Sequence, residues 1–331
     1  MWLIICGMPI PILLTAFLLA SEGPSFLREM RVIMGTTADV QVTGGADPTA
    51  LDMAFGALDE VDRTMSLWKE SELTALNRAG GGGVSDELFF VLEDALAIAA
   101  LSGGAFDPTV EPLVRATGGL GGPHRRLSAR ERTRLLARVG FRRVRLDPRL
   151  RSVALDPGTA LDLGGIAKGY AVDRALAALR AAGAQGAVVD LGRSSLGAFG
   201  DALALDVADP EDPARSPWAS FVVREAAVGS SGADQRKDHI FDPRTGRPAR
   251  RVLAATVVAS SAREADALST AVFVLGGEEG LALLERRGAA GFVLVKENGR
   301  RVAWTTHGFA EGHELTLAPG VLLRPRSGAA R

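Results

Sequence analysis

Between Gly186 and Ser260 the sequence is cut into short apolar runs: GAVVDLG, SLGAFG, ALALDVA, SFVVREAAVGS and LAATVVAS. Gly, Pro and Asp separate them. Runs of this length and composition are strands, and the residues between them are turn formers. They predict one compact sheet with tight turns. The flanking sequence is of a different kind. REMRVIMGTTADVQVTG alternates polar and apolar residues and predicts a strand entering the fold. DPTALDMAFGALDEVDRTM has helical spacing, with Asp47 as its cap and Pro48 just inside. SDELFFVLEDALAIAALSGG predicts a helix from a Ser85 cap to a stop at Gly103-Gly104. A short basic helix follows Ser128, with His124 facing solvent. AREADALSTAVFVLG and EEGLALLERRG predict two more helices, and AGFVLVKENGRRVAWTT a hairpin turning at Asn298-Gly299. Helices and strands do not alternate regularly. That pattern predicts an α+β fold rather than a doubly wound parallel sheet.

Bulk properties narrow the function classes. The 331 residues are 47% hydrophobic and 23% charged, enough for a globular chain with a proper core. The net charge of −1 gives no nucleic-acid footprint. Cys6 is the single cysteine, so neither an intrachain disulfide nor a cysteine-built zinc cluster can form. Trp2 to Ala20 carries no charge, and Glu22 is the first charged side chain. This length falls between a signal-peptide core and a spanning helix. Residues 1–24 are therefore expected to be a signal peptide or membrane anchor ahead of one domain over 25–331. The expected location is periplasmic, free or anchored to the inner membrane.

The run ALDLGGIAKGYAVDRALAAL, from Ala160 to Leu179, places an acid, two glycines and a lysine before an amphipathic helix. A nucleotide P-loop needs G-x-x-x-x-G-K-[ST], and here Lys168 is followed by Gly169. No G-x-G-x-x-G, H-E-x-x-H or G-x-S-x-G occurs, which removes the Rossmann, zinc-protease and α/β-hydrolase readings. Gly164 and Gly165 allow close approach of a ligand to the backbone, and a helix N-terminus favours an anion. Lys168 has the wrong sign for the helix dipole and needs a partner, either a ligand phosphate or Asp162. Read locally, the same residues could be an ordinary glycine turn with Lys168 in solvent. In EADALSTAVFVLG, Asp266 and Thr270 lie four apart on one helix face and present hard oxygen ligands of the kind Mg²⁺ takes. In DHIFDPRTGRP, His239 can move protons near neutral pH, and Asp242-Pro243 with Thr245-Gly246 makes a rigid turn.

Taken together, VIMGTTADV, MSLWKESELTALN, GGAFDPTVEPL, LDLGGIAKGYAVDRAL, HIFDPRTGRP and ADALSTAVFVLG resemble, in order, the ApbE-type flavin transferases, once described as thiamine-biosynthesis lipoproteins. The resemblance runs from about Arg28 to near the end of the chain. It implies an ApbE-like fold with FAD in a cleft, and Mg²⁺-dependent transfer of FMN from FAD to a Ser/Thr hydroxyl of an acceptor flavoprotein, with release of AMP. It implies that Met34, Trp68, Ala105, Phe106, Asp107, Asp162, Lys168 and Ile240 line the FAD site. Gly165 through its carbonyl, Asp266 and Thr270 would hold the metal, and His239 would assist proton transfer beside Asp266. Two departures stand out. Gly192-Arg193-Ser194-Ser195 replaces the second glycine and Asp or Asn common after VVDLG, and Asp238 precedes His239 where many relatives double the histidine. With Tyr170 the sole tyrosine, flavin stacking must rest on Trp or Phe. An FAD pyrophosphatase and a non-catalytic flavin-binding protein of the envelope are the alternative functions.

Overall fold

The strand Gly186–Leu191 is buried along its whole length, so GAVVDLG reads as a continuous apolar run and not as an alternation. Ala187, Val189 and Leu191 join one core, and Val188 joins another. The strand thus lies at the middle of a layered molecule. In this computed structural model the structure describes residues 14–18 (as backbone), 26–120, 122, 124–212, 214–232 and 240–326.

The middle layer is a nine-stranded sheet. From edge to edge its strands are Phe26–Ile33, Thr36–Thr43, Gly186–Leu191, Ser195–Phe199, Ala227–Gly232, Ala254–Ala259, Ala290–Glu297, Arg300–Thr305 and Val321–Pro325. Neighbours are antiparallel except the last pair, which is parallel. One face carries the helices Thr49–Met65, Ala167–Ala181 and Ala262–Leu275, packed side by side. The other face meets a four-stranded antiparallel sheet of Leu14–Leu18, Leu203–Val207, Ala219–Val223 and Thr316–Leu317. Trp218, Phe221, Phe292 and Phe309 fill the second core with edge-on and tilted ring contacts. This is the α+β arrangement expected from the irregular order of elements.

Several local expectations hold. Asp47 accepts the Thr49 N–H at 2.8 Å, and Ser85 and Ser128 accept the Leu88 and Glu131 N–H groups. Gly103 and Gly104 end their helix with φ of 61° and 78°. Asn298 and Gly299, at φ 49° and 78°, make the two-residue hairpin turn. Other expectations are corrected. REMRVIMGTTADVQVTG is a hairpin and not one strand, because Met34 and Gly35 both take positive φ (53° and 71°). SFVVREAAVGS divides at Glu225 (φ 42°) into strands of two different sheets. The apolar runs therefore build two sheets, not one. Of the apolar N-terminal segment, Leu14–Leu18 is a strand paired with Leu203–Val207, and the rest of residues 1–24 lies outside the described residues. Among the described residues no helix is long and apolar enough to cross a membrane.

Candidate active site

Two helices meet with their N-termini together. The lysine helix, Ala167–Ala181, and the aspartate helix, Ala262–Leu275, each begin with backbone N–H groups that no helical carbonyl can satisfy. Each supplies the other's missing acceptor. Asp173 of the lysine helix accepts the Ala262 and Arg263 N–H groups at 2.7 and 3.0 Å. Asp266 of the aspartate helix accepts the Gly169 N–H at 3.0 Å. A carboxylate at a helix N-terminus also faces the positive end of the dipole. The two helices touch through glycine. A Cβ on Gly169 would stand 2.1 Å from the Ala262 carbonyl oxygen, and one on Gly229 would stand 2.2 Å from that of Ala265. The first turns of the aspartate helix are thus clamped between the lysine helix and the sheet at two points where only hydrogen fits.

This clamp buries Asp266, which is 4% exposed. Burial pushes its pKa up, while Lys168, the Gly169 N–H and Ser195 favour the charged form. Ser195 Oγ nevertheless makes no hydrogen bond of good geometry and is buried without a partner. Lys168, in the first turn of its helix, donates to Ser194 Oγ. Its partner in the protein is this hydroxyl and the field of Asp266 rather than Asp162. Gly165 sits between Phe106 and Thr270: a Cβ there would be 3.2 Å from the Phe106 ring and 3.2 Å from Thr270 Oγ1. Gly165 is therefore a neighbour of Thr270, about a hundred positions further along the chain, and Asp266 lies one turn before Thr270 on the same helix. Among the described residues no three His, Cys, Asp or Glu side chains converge on a metal position. A cation here would take one carboxylate, a hydroxyl and backbone oxygen, with an orphaned serine hydroxyl nearby. That donor set fits Mg²⁺, which takes few protein ligands and completes its shell with phosphate and water.

Asp162 is tied to this cluster by its N–H, which donates to the Pro108 carbonyl at 2.7 Å. Its carboxylate accepts the Gly164 N–H at 2.8 Å. Burial, with Glu111 adding to it, pushes its pKa up. Ala105 and Phe106 are buried, and the Phe106 ring faces Gly165. Asp107 spends both oxygens on the protein: one accepts the Thr109 N–H and hydroxyl, the other the Phe141 N–H at 2.7 Å. Its side chain fixes the loop that presents Phe106.

A model of the ApbE family matches residues 34–293. The chain belongs to the ApbE family. It is 34% identical over 268 residues to the FAD:protein FMN transferase of Treponema pallidum, covering 71% of this chain and 74% of that protein. It is 30% identical over 316 residues to the FAD:protein FMN transferase of Vibrio cholerae, covering 86% and 90%. Among solved structures, the ApbE protein of Thermotoga maritima matches with a TM-score of 0.77 at 26% identity, over 89% of this chain and 97% of that one. The flavinyl transferase ApbE of Pseudomonas stutzeri, in its apo form, matches with a TM-score of 0.74 at 29% identity, over 87% and 96%.

Every candidate residue of this ApbE-family chain, from Met34 to Thr270, lies inside the matched range. Not all of them are drawn together. Met34 forms the turn of the first hairpin, whose Thr36 packs on Gly192; the Gly192–Ser195 loop in turn delivers Ser194 to Lys168. Trp68 is 58% exposed, an aromatic face open to solvent. Ile240 packs on the core, and its carbonyl accepts the Ala249 N–H at 2.8 Å. His239 lies outside the described residues. Sequence reasoning missed Asp173, Gly169, Gly229 and Asp190. Asp190 is buried opposite Asp39 on the neighbouring strand and accepts the Arg193 N–H at 2.8 Å. Burial, and then Asp39, push its pKa up to about 7 against the pull of Arg193 and Lys168. The signal for Asp190 was a lone acid inside VVDLG, a run otherwise made for a buried strand.

Proposed function

We propose that this chain is an FAD:protein FMN transferase that uses Mg²⁺ and places FMN on a Ser or Thr hydroxyl of an acceptor flavoprotein. The observation that carries the reading is the meeting of Gly165, Asp266 and Thr270 at the N-terminus that bears Lys168. Pyrophosphate chemistry needs charge neutralisation and placement more than covalent help from the protein. Gly165, Asp266 and Thr270 would hold Mg²⁺, which would supply neutralisation of the pyrophosphate when bound. Lys168 binds a phosphate oxygen from the other side, exchanging its Ser194 bond for a charged one. Asp162 and the Phe106 loop orient the donor, and Trp68 offers the ring for the flavin.

In the transfer step the acceptor oxygen bonds to the phosphorus next to riboflavin. The bond from that phosphorus to the bridging oxygen breaks, and AMP departs with the electron pair. The hydroxyl proton passes to a base, and His239 holds that role in this reading. In this reading the apolar N-terminus carries export, the acceptor lies in the periplasm or at the membrane surface, and Leu14–Leu18, paired in the second sheet, stays part of the folded chain. The similarity to named FAD:protein FMN transferases supports the donor and the reaction class.

The test uses the full chain, since Leu14–Leu18 belongs to the second sheet. It is mixed with FAD, Mg²⁺ and a protein bearing a Ser/Thr flavinylation motif, and AMP and acceptor mass are followed. AMP with an acceptor heavier by one FMN less a water is expected. AMP with no mass gain would replace the transferase by a pyrophosphatase, and FAD bound intact with neither product would leave a flavin carrier.

A further inference from the structure

Residues 124–151 hold eleven arginines against Glu131 and Asp147, in a chain whose net charge is −1. Part of this charge converges on one place. A cavity of about 180 Å³ lies between the helix Ala129–Leu136 and the hairpin that pairs Phe241–Asp242 with Arg247–Pro248. His124, Arg125, Arg126, Arg132 and Arg247 surround it, and Phe241 closes one side. These side chains come from two segments more than a hundred residues apart, brought together by the fold.

The lining is held in place. Gly246 takes φ +61° beneath Arg132, and a Cβ there would meet Arg132 Cγ at 2.9 Å and Leu136 at 3.3 Å. The arginine stem is therefore laid along the turn, where only glycine leaves room for it. Arg125 is fixed at both ends. Its N–H donates to the Thr117 carbonyl at 3.2 Å, and its guanidinium donates to Glu131 at 3.0 Å. Glu131 in turn closes a capping box with Ser128, and these bonds hold its carboxylate down at about 2. Arg126 and Arg132 have no carboxylate partner among the described residues.

We propose that this cavity binds a phosphomonoester dianion. A guanidinium fork matches two phosphate oxygens at once, and a phosphate brings two charges and three acceptors to several forks where a carboxylate brings one charge and two. The volume accepts a phosphate group and is too small for a whole flavin dinucleotide, and its lining includes none of Asp162, Gly165, Lys168, Asp266 and Thr270. Phosphomonoesters reach it from two sources: free AMP, or the headgroup of a phosphatidate lipid. The AMP source rests on the transferase reading; the phosphate chemistry does not.

The full chain without FAD is titrated by calorimetry with inorganic phosphate, AMP and adenosine at low salt. Phosphate and AMP should each saturate one site and compete, and adenosine should not bind there. The double variant Arg126→Ala/Arg132→Ala should weaken phosphate roughly tenfold or more, the loss of one charged hydrogen bond being enough for that. Sedimentation with phosphatidylcholine vesicles, with and without phosphatidic acid, separates the sources. Variant-sensitive binding to the acidic vesicles, displaced by inorganic phosphate, assigns the lipid; its absence alongside AMP binding assigns the nucleotide. No saturable phosphate binding, or binding that the double variant keeps, overturns the proposal, as does variant-sensitive binding of a polyglutamate peptide that phosphate does not displace. The unfolding midpoint shows that the variant folds. Because the titrations contain no FAD, a chain that binds phosphate but transfers no FMN would contradict only the transferase reading.

Discussion

Gly169→Ala puts a methyl group where the two helices touch. In an ordinary helix interior this change stabilises, by about 1 kcal/mol of helix propensity. Here the new Cβ would stand 2.1 Å from the Ala262 oxygen, 2.5 Å from its carbon and 2.7 Å from the Arg263 nitrogen, all of them backbone atoms. None is the end of a flexible side chain, so the helices themselves must part, by roughly 1 Å, to restore normal contact. Parting them lengthens the reciprocal caps, Gly169 to Asp266 and Ala262 and Arg263 to Asp173. Overpacking costs about 1–3 kcal/mol, and hydrogen bonds to charged groups contribute about 1.5–3 kcal/mol each when intact. With part of that lost and the propensity gain subtracted, a net loss of about 3–5 kcal/mol is expected. At 331 residues that is a fall in Tm of roughly 4–7 °C. Gly56→Ala is the control. It sits exposed in the helix Thr49–Met65, and its Cβ meets nothing within 4 Å. It should gain about 0.5–1 kcal/mol. Guanidinium unfolding followed by circular dichroism measures both. If Gly169→Ala unfolds at or above the wild-type midpoint, the close approach of the helices is wrong.

Asp190 has a folded pKa of about 7, above its ordinary 3.8, so stability from this group is fully present below pH 4 and lost as the pH rises through 7. Relative to Asp190→Asn, the wild type should lose about 1.4 kcal/mol per pH unit across that window, and parallel stability curves between pH 4.5 and 8 would contradict the assignment. Asp266→Asn keeps an acceptor for the Gly169 N–H but removes a buried charge. It should be at least as stable as wild type in EDTA, and should lose both AMP release and the Mg²⁺-induced rise in stability, worth about 2.7 kcal/mol at a hundredfold excess over Kd. An Asp266→Asn protein that Mg²⁺ still stabilises would move the metal elsewhere. Lys168→Ala should weaken FAD binding in a fluorescence titration, and an unchanged affinity would remove it from the site. Trp68 is exposed, so a flavin stacked on it should quench it, and the FAD-dependent drop in tryptophan emission should shrink in Trp68→Phe while the other three tryptophans still emit; an unchanged drop would remove Trp68 from the flavin site.

The elements that sequence revealed are those whose chemistry is local. Ser85, Ser128 and Asp47 cap the helices that follow them, and Asn298-Gly299 turns the hairpin that contains it. Misreadings fell where positive φ sits on a residue that is not glycine. Met34 and Glu225 break the chain without a glycine's signal at that position, whereas the turn at Arg193 was marked by Gly192 beside it. The helix Glu72–Ala79 and the strands Val144–Asp147 and Ser152–Leu155 are too short for a periodicity to stand out. In the site, Asp266 with Thr270 was legible because four residues span one helix turn. Asp173 was not, because its partners are N–H groups ninety positions away. Gly169 was visible only as the residue that spoils a P-loop, and its reason for being glycine lies on another helix.

Charge balance ties these parts together. Asp162, Asp190 and Asp266 are all pushed towards their neutral forms by burial, and Lys168 is the cation that opposes this at Asp190 and Asp266. A pyrophosphate entering beside Lys168 adds two further negative charges to a region already rich in buried acids. One lysine cannot neutralise both the protein's carboxylates and the ligand. A divalent cation held by Asp266 would do so in the proposed reading, which would give a physical reason for keeping a carboxylate where it costs stability. The glycine clamp then has a function beyond packing. By letting the backbone of two helices and a strand close to hydrogen-only contact, Gly169 and Gly229 hold Asp266 beside Thr270 and Gly165 without a flexible side chain in between, so the charge is fixed before the ligand arrives.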